Sequence, residues 1–211
     1  MAVLWYFDFI SPFSYLQWQK VRRLHEDGTV ATPATPVPVM FGAVLDAHGQ
    51  KGPAEIPGKR EFTYRHVLWQ ARREGVPLTF PPAHPFNPLP ALRLCIAAGS
   101  THAAVDAIFN WIWRDGRAAD SVEAIAPLVQ ALGIDPAVLG EDGTKAALRA
   151  NTGAAIEAGV YGVPTLSIRA GLFWGNDAHD FAVAALRDPA LMDDPGMARV
   201  AALPVGIRRQ P

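Results

Sequence analysis

Strand-like sequence occurs in two places far apart, and everything between them reads as helix. Residues 1–10, 11–26 and 36–41 read as strand, helix and strand. Segments around 59–75, 88–99, 101–115, 121–132 and 142–158 are rich in Ala, Leu, Arg and Glu and are broken by Gly and Pro, the punctuation of successive helices. Strand-like composition resumes only at Thr165–Arg169 and Leu172–Trp174, with Ala170-Gly171 as a two-residue turn. A last helix is expected over about 177–186, and the tail from Pro189 reads as irregular. This order predicts an α/β fold, one sheet interrupted by a large helical insertion. The domain boundaries follow as 1–58 with 159–190, 59–158, and an irregular tail over 191–211.

Local chemistry refines that frame. Val3–Phe7 is continuously apolar, as a strand buried on both faces must be. Pro33, Pro36 and Pro38 cannot donate to a ladder, so the second strand belongs at a sheet edge. Ser100, Asp120 and Asp135 are plausible helix starts, and Gly99 and Gly133 plausible stops. A net charge of −1 argues against electrostatic capture of nucleic acid or anionic membrane. No apolar run approaches the ~20 residues of a membrane span, and no signal peptide is visible, which points to a cytoplasmic protein. Cys95 is the single cysteine; it sits within an apolar helix and reads as core. The six histidines are scattered with no i, i+4 pair, so no metal is assigned.

Four segments could carry chemistry. Ser11-Pro12-Phe13-Ser14 stands where the first strand hands over to a helix, with Pro12 suited to the first helical position and Ser11 to the N-cap. A thiolate placed beside Ser11 would be stabilised by the helix end without metal or base. Gly162-Val163-Pro164-Thr165 precedes the hairpin. With 19 prolines, about one cis bond is expected. A cis Pro164 would free the Val163 backbone to pair with an extended peptide, and a trans proline at a strand start is the plainer alternative. In Trp174-Gly175-Asn176-Asp177, Asn176 or Asp177 would cap the last helix, whose N–H groups could also hold a carboxylate. In the loop from Gly49 to Ala54 and just beyond it, Lys51, Lys59 and Arg60 could meet the anionic end of such a peptide, or could simply be solvated. Asn87, before Pro88, reads as a cap or as a residue orienting substrate.

Three of these motifs, in this order, resemble the glutathione-dependent 2-hydroxychromene-2-carboxylate isomerases and the related kappa-class glutathione transferases, both DsbA-like thioredoxin-fold proteins. The resemblance rests on Asp8-Phe9-Ile10-Ser11-Pro12-Phe13-Ser14-Tyr15, Gly162-Val163-Pro164-Thr165 and Phe173-Trp174-Gly175-Asn176-Asp177. It implies a thioredoxin-like fold, a homodimer and glutathione as cofactor. Ser11 would stand where oxidoreductase relatives keep their reactive cysteine, and would lie against the glutathione sulfur. Val163, before the family's cis-proline Pro164, would pair with the cysteinyl unit, and Trp174, Gly175, Asn176 and Asp177 would hold the γ-glutamyl end. Gln50 and Lys59 match an amide and a lysine that relatives place near glutathione, and Phe13 and Asn87 are assigned to the electrophile's side. Leu45 stands where aromatic-degrading isomerases tend to carry a basic side chain, a departure that bears on the electrophile and not on glutathione.

The implied reaction is a cis-trans isomerisation of an electron-poor conjugated acid by reversible thiolate addition, with Ser11 as hydrogen-bond donor; a serine without an adjacent base is a poor nucleophile. Irreversible conjugation, as in a transferase, and a non-catalytic glutathione-binding relic are the alternatives. A disulfide oxidoreductase is disfavoured, since one cysteine cannot cycle a dithiol.

Overall fold

The computed structural model describes residues 3–207; the ends of the expected first strand and tail, 1–2 and 208–211, lie outside them. The apolar run at the start forms β1 (Leu4–Phe7), which takes a central place in a four-stranded sheet. β2 (Thr35–Pro38) runs parallel to β1 on one side, and β3 (Thr165–Ile168) runs antiparallel to it on the other. β4 (Gly171–Trp174) completes the order β2-β1-β3-β4. The proline-rich β2 is an edge strand, where its missing N–H groups face no neighbour. Pairing of Ile168 with Gly171 makes Arg169-Ala170 the turn, one residue earlier than expected.

α1 (Pro12–Val21) follows β1 and stops well short of residue 26. A short α2 (Phe41–Ala47), which the composition did not announce, follows β2. The helical insertion then runs through α3 (Pro57–Glu74), α4 (Leu89–Ala97), α5 (His102–Phe109), α6 (Ala126–Ala131) and α7 (Asp142–Glu157). α5 passes into a single π turn over Asn110–Arg114, which is why 101–115 looked like one helix. The segment expected as helix 121–132 contracts to α6, and Ser121 rather than Asp120 caps the turn before it, accepting from Ala124 N at 3.1 Å. Thr101, not Ser100, caps α5. Asp135 does cap a short 3₁₀ turn.

α8 (His179–Arg187) closes the sheet unit. The tail is not wholly irregular: Leu191–Asp193 forms a 3₁₀ turn and α9 (Pro195–Ala201) follows, started by Pro195 and capped by Asp194, which accepts from the Gly196 and Met197 amides. The short range of that signal hid it, since seven residues show no readable period.

Sheet and insertion share one hydrophobic core. Trp5 stacks on Phe7 at 4.4 Å, and Phe109 of α5 packs against Phe7 and Phe9 at 5.6 and 4.7 Å. Trp113 adds its ring to the same cluster and donates through Nε1 to the Phe9 carbonyl at 2.8 Å. Each such buried side chain contributes about 1.5–3 kcal/mol. Cys95 is buried in this core, as expected, and burial pushes its thiol up to about 12. A smaller cluster of Tyr6, Val39, Val44, Ala155, Val160 and Val163 packs apart from it. α1, lying between sheet and insertion, is buried nearly all round, so two of its polar side chains, Ser14 and Gln17, are interior.

Candidate active site

The turn from β1 into α1 is built by Asp8. Its carbonyl accepts from Ser11 N at 3.1 Å, Oδ1 accepts from Ile10 N at 3.0 Å, and Oδ2 reaches across to Phe41 N at 2.9 Å. The side chain is fully buried, and that burial pushes its carboxyl up to about 7 against the pull of the amides. Ser11 then caps α1 as expected, its Oγ accepting from Ser14 N at 3.2 Å, with Pro12 at the first helical position. Those choices direct the positive helix end at whatever lies beside Ser11.

Two further groups brace this turn. His84 approaches Ile10 O through Nε2 at 2.8 Å, and Tyr64 OH lies 2.5 Å from its Nδ1. A carbonyl only accepts, so Nε2 carries the proton and Nδ1 receives the tyrosine hydroxyl. Burial lowers the imidazole's pKa, keeping it neutral. Arg60, read from sequence as meeting the anionic end of a peptide or as solvated, donates to the His84 carbonyl at 2.8 Å. Neither Asp8 nor His84 carries a role in the sequence reading, because the contacts of Asp8 with Phe41 N and of His84 with Ile10 O and Tyr64 OH join residues far apart along the chain.

The Val163–Pro164 peptide is cis, as is His84–Pro85. Outside the β1–β3 ladder, which begins at Thr165, no backbone hydrogen bond of Val163 is found among the described residues. Pro164 O accepts from Gly175 N at 2.8 Å, which holds this segment beside the last motif. Trp174 is about half exposed, and its ring packs edge-on against Tyr161 at 5.5 Å. It also lies over Gly162, where a Cβ would come within 2.4 Å of the indole nitrogen.

Asn176 and Asp177 do not cap α8, whose N-cap is Ala178 with no side-chain acceptor. The chain takes one more turn first, and Asn176 points inward. It is buried and donates through Nδ2 to Gln70 Oε1 at 3.2 Å, while its Oδ1 has no partner. Asp177 is exposed. Gln17 donates to the Gly175 carbonyl at 2.8 Å and accepts from Trp5 Nε1 at 2.7 Å, tying α1 and β1 to the same corner. Ser14, one turn before Gln17, is buried with an unpartnered Oγ. Two orphaned polar atoms on segments joined by Gln17 are what a bound polar ligand would satisfy.

Beside Ser11, Phe13 is half-buried and meets His66 of α3 at 6.0 Å. His66 stacks in turn with Phe62 at 5.6 Å and Trp69 at 6.0 Å, so α3 presents an aromatic wall. Gln70 Nε2 lies 3.1 Å from His66 Nε2, connecting that wall to Asn176. Gln50 and Lys59 are exposed, and no side-chain hydrogen bond joins either to these groups. Asn87 is exposed and accepts from Leu89 N at 3.2 Å, the cap reading of that residue.

A DSBA-like thioredoxin domain model matches residues 2–187. The chain is 32% identical over 184 residues to 2-hydroxychromene-2-carboxylate isomerase of Pseudomonas putida, covering 84% of this chain and 90% of the relative. It belongs to that isomerase family. The family's architecture is shared as well: a solved 2-hydroxychromene-2-carboxylate isomerase superposes with a TM-score of 0.74 at 26% identity, over 93% of this chain and 99% of that one. A shorter match, 31% identity over 77 residues, covers 36% of this chain and 34% of glutathione S-transferase kappa 1 of Caenorhabditis elegans. The isomerase family and the thioredoxin-like sheet with its helical insertion are therefore as the three motifs implied. Among the described residues, no helix is long and apolar enough to cross a membrane.

Proposed function

We propose that the protein is a cytoplasmic, homodimeric, glutathione-dependent isomerase acting on an electron-poor conjugated aromatic acid of the 2-hydroxychromene-2-carboxylate type. The observation that carries this is the Ser11-capped start of α1, tied through Gln17 to Gly175 and through Gly175 to the cis Pro164 segment. Glutathione fits this corner: the Val163 backbone has no hydrogen bond among the described residues, and Gly162 lets the Trp174 indole lie against the chain there. When bound, it supplies a thiolate that adds reversibly to a conjugated C=C, permits rotation and is expelled, so no glutathione is consumed.

The chain's own residues do the rest. Ser11 donates its hydroxyl to the sulfur while its lone pair accepts from Ser14 N, and the end of α1 adds positive potential. Both lower the thiol's pKa from ~8.5, each unit corresponding to ~1.4 kcal/mol. Val163 pairs with the peptide part, and Trp174, Gly175, Asn176 and Asp177 enclose the α-amino acid end. Gln50 and Lys59 reach the far end only on movement of their exposed side chains. Phe13 and the His66 ring stack on the electrophile, with Asn87 at the outer margin.

The test is the ultraviolet thiolate absorbance of glutathione against pH, bound to wild type and to Ser11→Ala. A bound pKa well below the free value, rising in the variant, is the expected result; a thiol titrating as in water removes glutathione from the reading. The partial kappa-class match favours a second outcome at the same site, conjugation. Product analysis separates them, because conjugation consumes glutathione stoichiometrically and isomerisation consumes none.

A further inference from the structure

A second pocket, sharing no lining residue with the thiol site, lies where α2, α4 and α7 meet at the β2 edge of the sheet. It encloses about 320 Å³, at the lower end of the ~300–1,000 Å³ usual for small-molecule sites. Its floor is apolar, from Met40, Leu89 and Leu148. Its polar lining is cationic, from Arg93, Lys145 and Arg149, with no carboxylate among the lining residues. Among the described residues Lys145 pairs only with Asp142, at 3.4 Å, and the Asp142 side chain is wholly exposed, where an ion pair has little hold. Arg93 and Arg149 form no ion pair among the described residues. The Nε of Arg93 is buried and has no hydrogen-bond acceptor among the described residues.

A guanidinium stays charged in any protein environment, so a buried N–H of Arg93 without an acceptor is costly. Thr152, the uncharged polar residue of the lining, cannot relieve it. Its hydroxyl donates to Leu148 O at 2.8 Å and accepts from Met40 N at 3.0 Å. Nε itself is closed to an incoming ligand, so two coplanar oxygens arriving in the pocket would pair with the terminal nitrogens of the guanidinium. The surrounding apolar surface then calls for a hydrophobic body attached to them.

We propose that this pocket binds a small organic carboxylate with an apolar or aromatic body, held by Arg93 in a two-point ion pair. Arg149 and Lys145 close the rim over the anion, and Met40, Leu89 and Leu148 take the hydrocarbon. The site does not depend on the glutathione reading, and it is a second position at which aromatic acids meet this chain.

The test titrates the full chain with naphthalene-2-carboxylate, by calorimetry and by the methyl NMR signals of ¹³C-methionine, of which Met40 alone lines the pocket. Saturable one-to-one binding that shifts the Met40 methyl and weakens at least tenfold in Arg93→Met is expected. Should Arg93→Met not fold, the double variant Lys145→Gln/Arg149→Gln, at the rim of the pocket, carries the same expectation at about fivefold or more. Binding that leaves the Met40 signal in place, or that both variants retain, overturns the site. So does equal affinity for 2-naphthalenemethanol, which lacks the charge, or displacement by equimolar inorganic phosphate, which lacks the body.

Discussion

Gln17 reaches the carbonyl of Gly175 with a 2.8 Å hydrogen bond across a sequence separation of 158, and receives the indole N–H of Trp5 at 2.7 Å on its other side. A buried amide satisfied at both ends is the joint that fixes the Trp174–Asp177 corner relative to the start of α1. Replacing Gln17 with Leu leaves the Trp5 N–H buried and unpaired, at about 1–3 kcal/mol, and frees the half-buried Gly175 carbonyl. Urea unfolding of Gln17→Leu is expected to show that loss, and glutathione affinity should fall with it. An unaltered midpoint would mean that both groups find water.

Ser11 has two separable duties. As the cap of α1 its removal costs about 1 kcal/mol, or about 2–4 °C in Tm for a chain of this size. Its proposed contact with the sulfur concerns rate alone. Ser11→Ala should therefore melt only slightly earlier while turnover falls by an order of magnitude or more. Turnover that falls only as far as the folded fraction would reduce Ser11 to a cap.

Two buried titratable groups set opposing pH dependences. The Asp8 carboxyl is raised from 3.8 to about 7 by burial, so its contribution to stability is full below 3.8 and is lost as pH rises through 7. His179 is lowered from 6.5 to about 4, mainly by burial and then by Lys20, so its contribution is full above 6.5 and is lost as pH falls through 4. Between those values the two slopes oppose. Urea midpoints of Asp8→Asn should rise from pH 4 to 7, and those of His179→Leu should fall over the same range. Parallel profiles for the two variants would contradict this assignment.

Gly162 lies beneath the Trp174 indole, and an added Cβ meets its nitrogen at 2.4 Å. The ring is about half exposed and can swing outward, so Gly162→Ala should cost little stability. The swing separates Trp174 from Tyr161 and opens the corner. Tryptophan fluorescence should shift to the red, and the KM for glutathione should rise severalfold with kcat little changed.

Much of this architecture is legible along the chain because its signals are local. The apolar run Val3–Phe7, the prolines of β2 and the Ser11-Pro12 helix start each declare themselves within a few residues, and each is found as expected. Asn176 shows where local reading stops. A polar residue ahead of an apolar helix looks like a cap, yet Gln70 of α3, a partner 106 positions away, draws it inward. The same holds for the contacts of Asp8 with Phe41 N, of Gln17 with Gly175 O and Trp5, and of His84 with Ile10 O, which only the folded chain brings near. α9 and α2 escaped for the opposite reason, being too short to display a period.

The aromatic cluster joining Trp5, Phe7 and Phe9 to Phe109 and Trp113 makes the sheet and the insertion a single solid rather than two bodies about a hinge. The spacing between the Ser11 turn and its surroundings is then a property of ring volumes in the interior. Selectivity for the size of an acceptor could thus be retuned by a core exchange such as Phe109→Leu, in a residue no substrate touches.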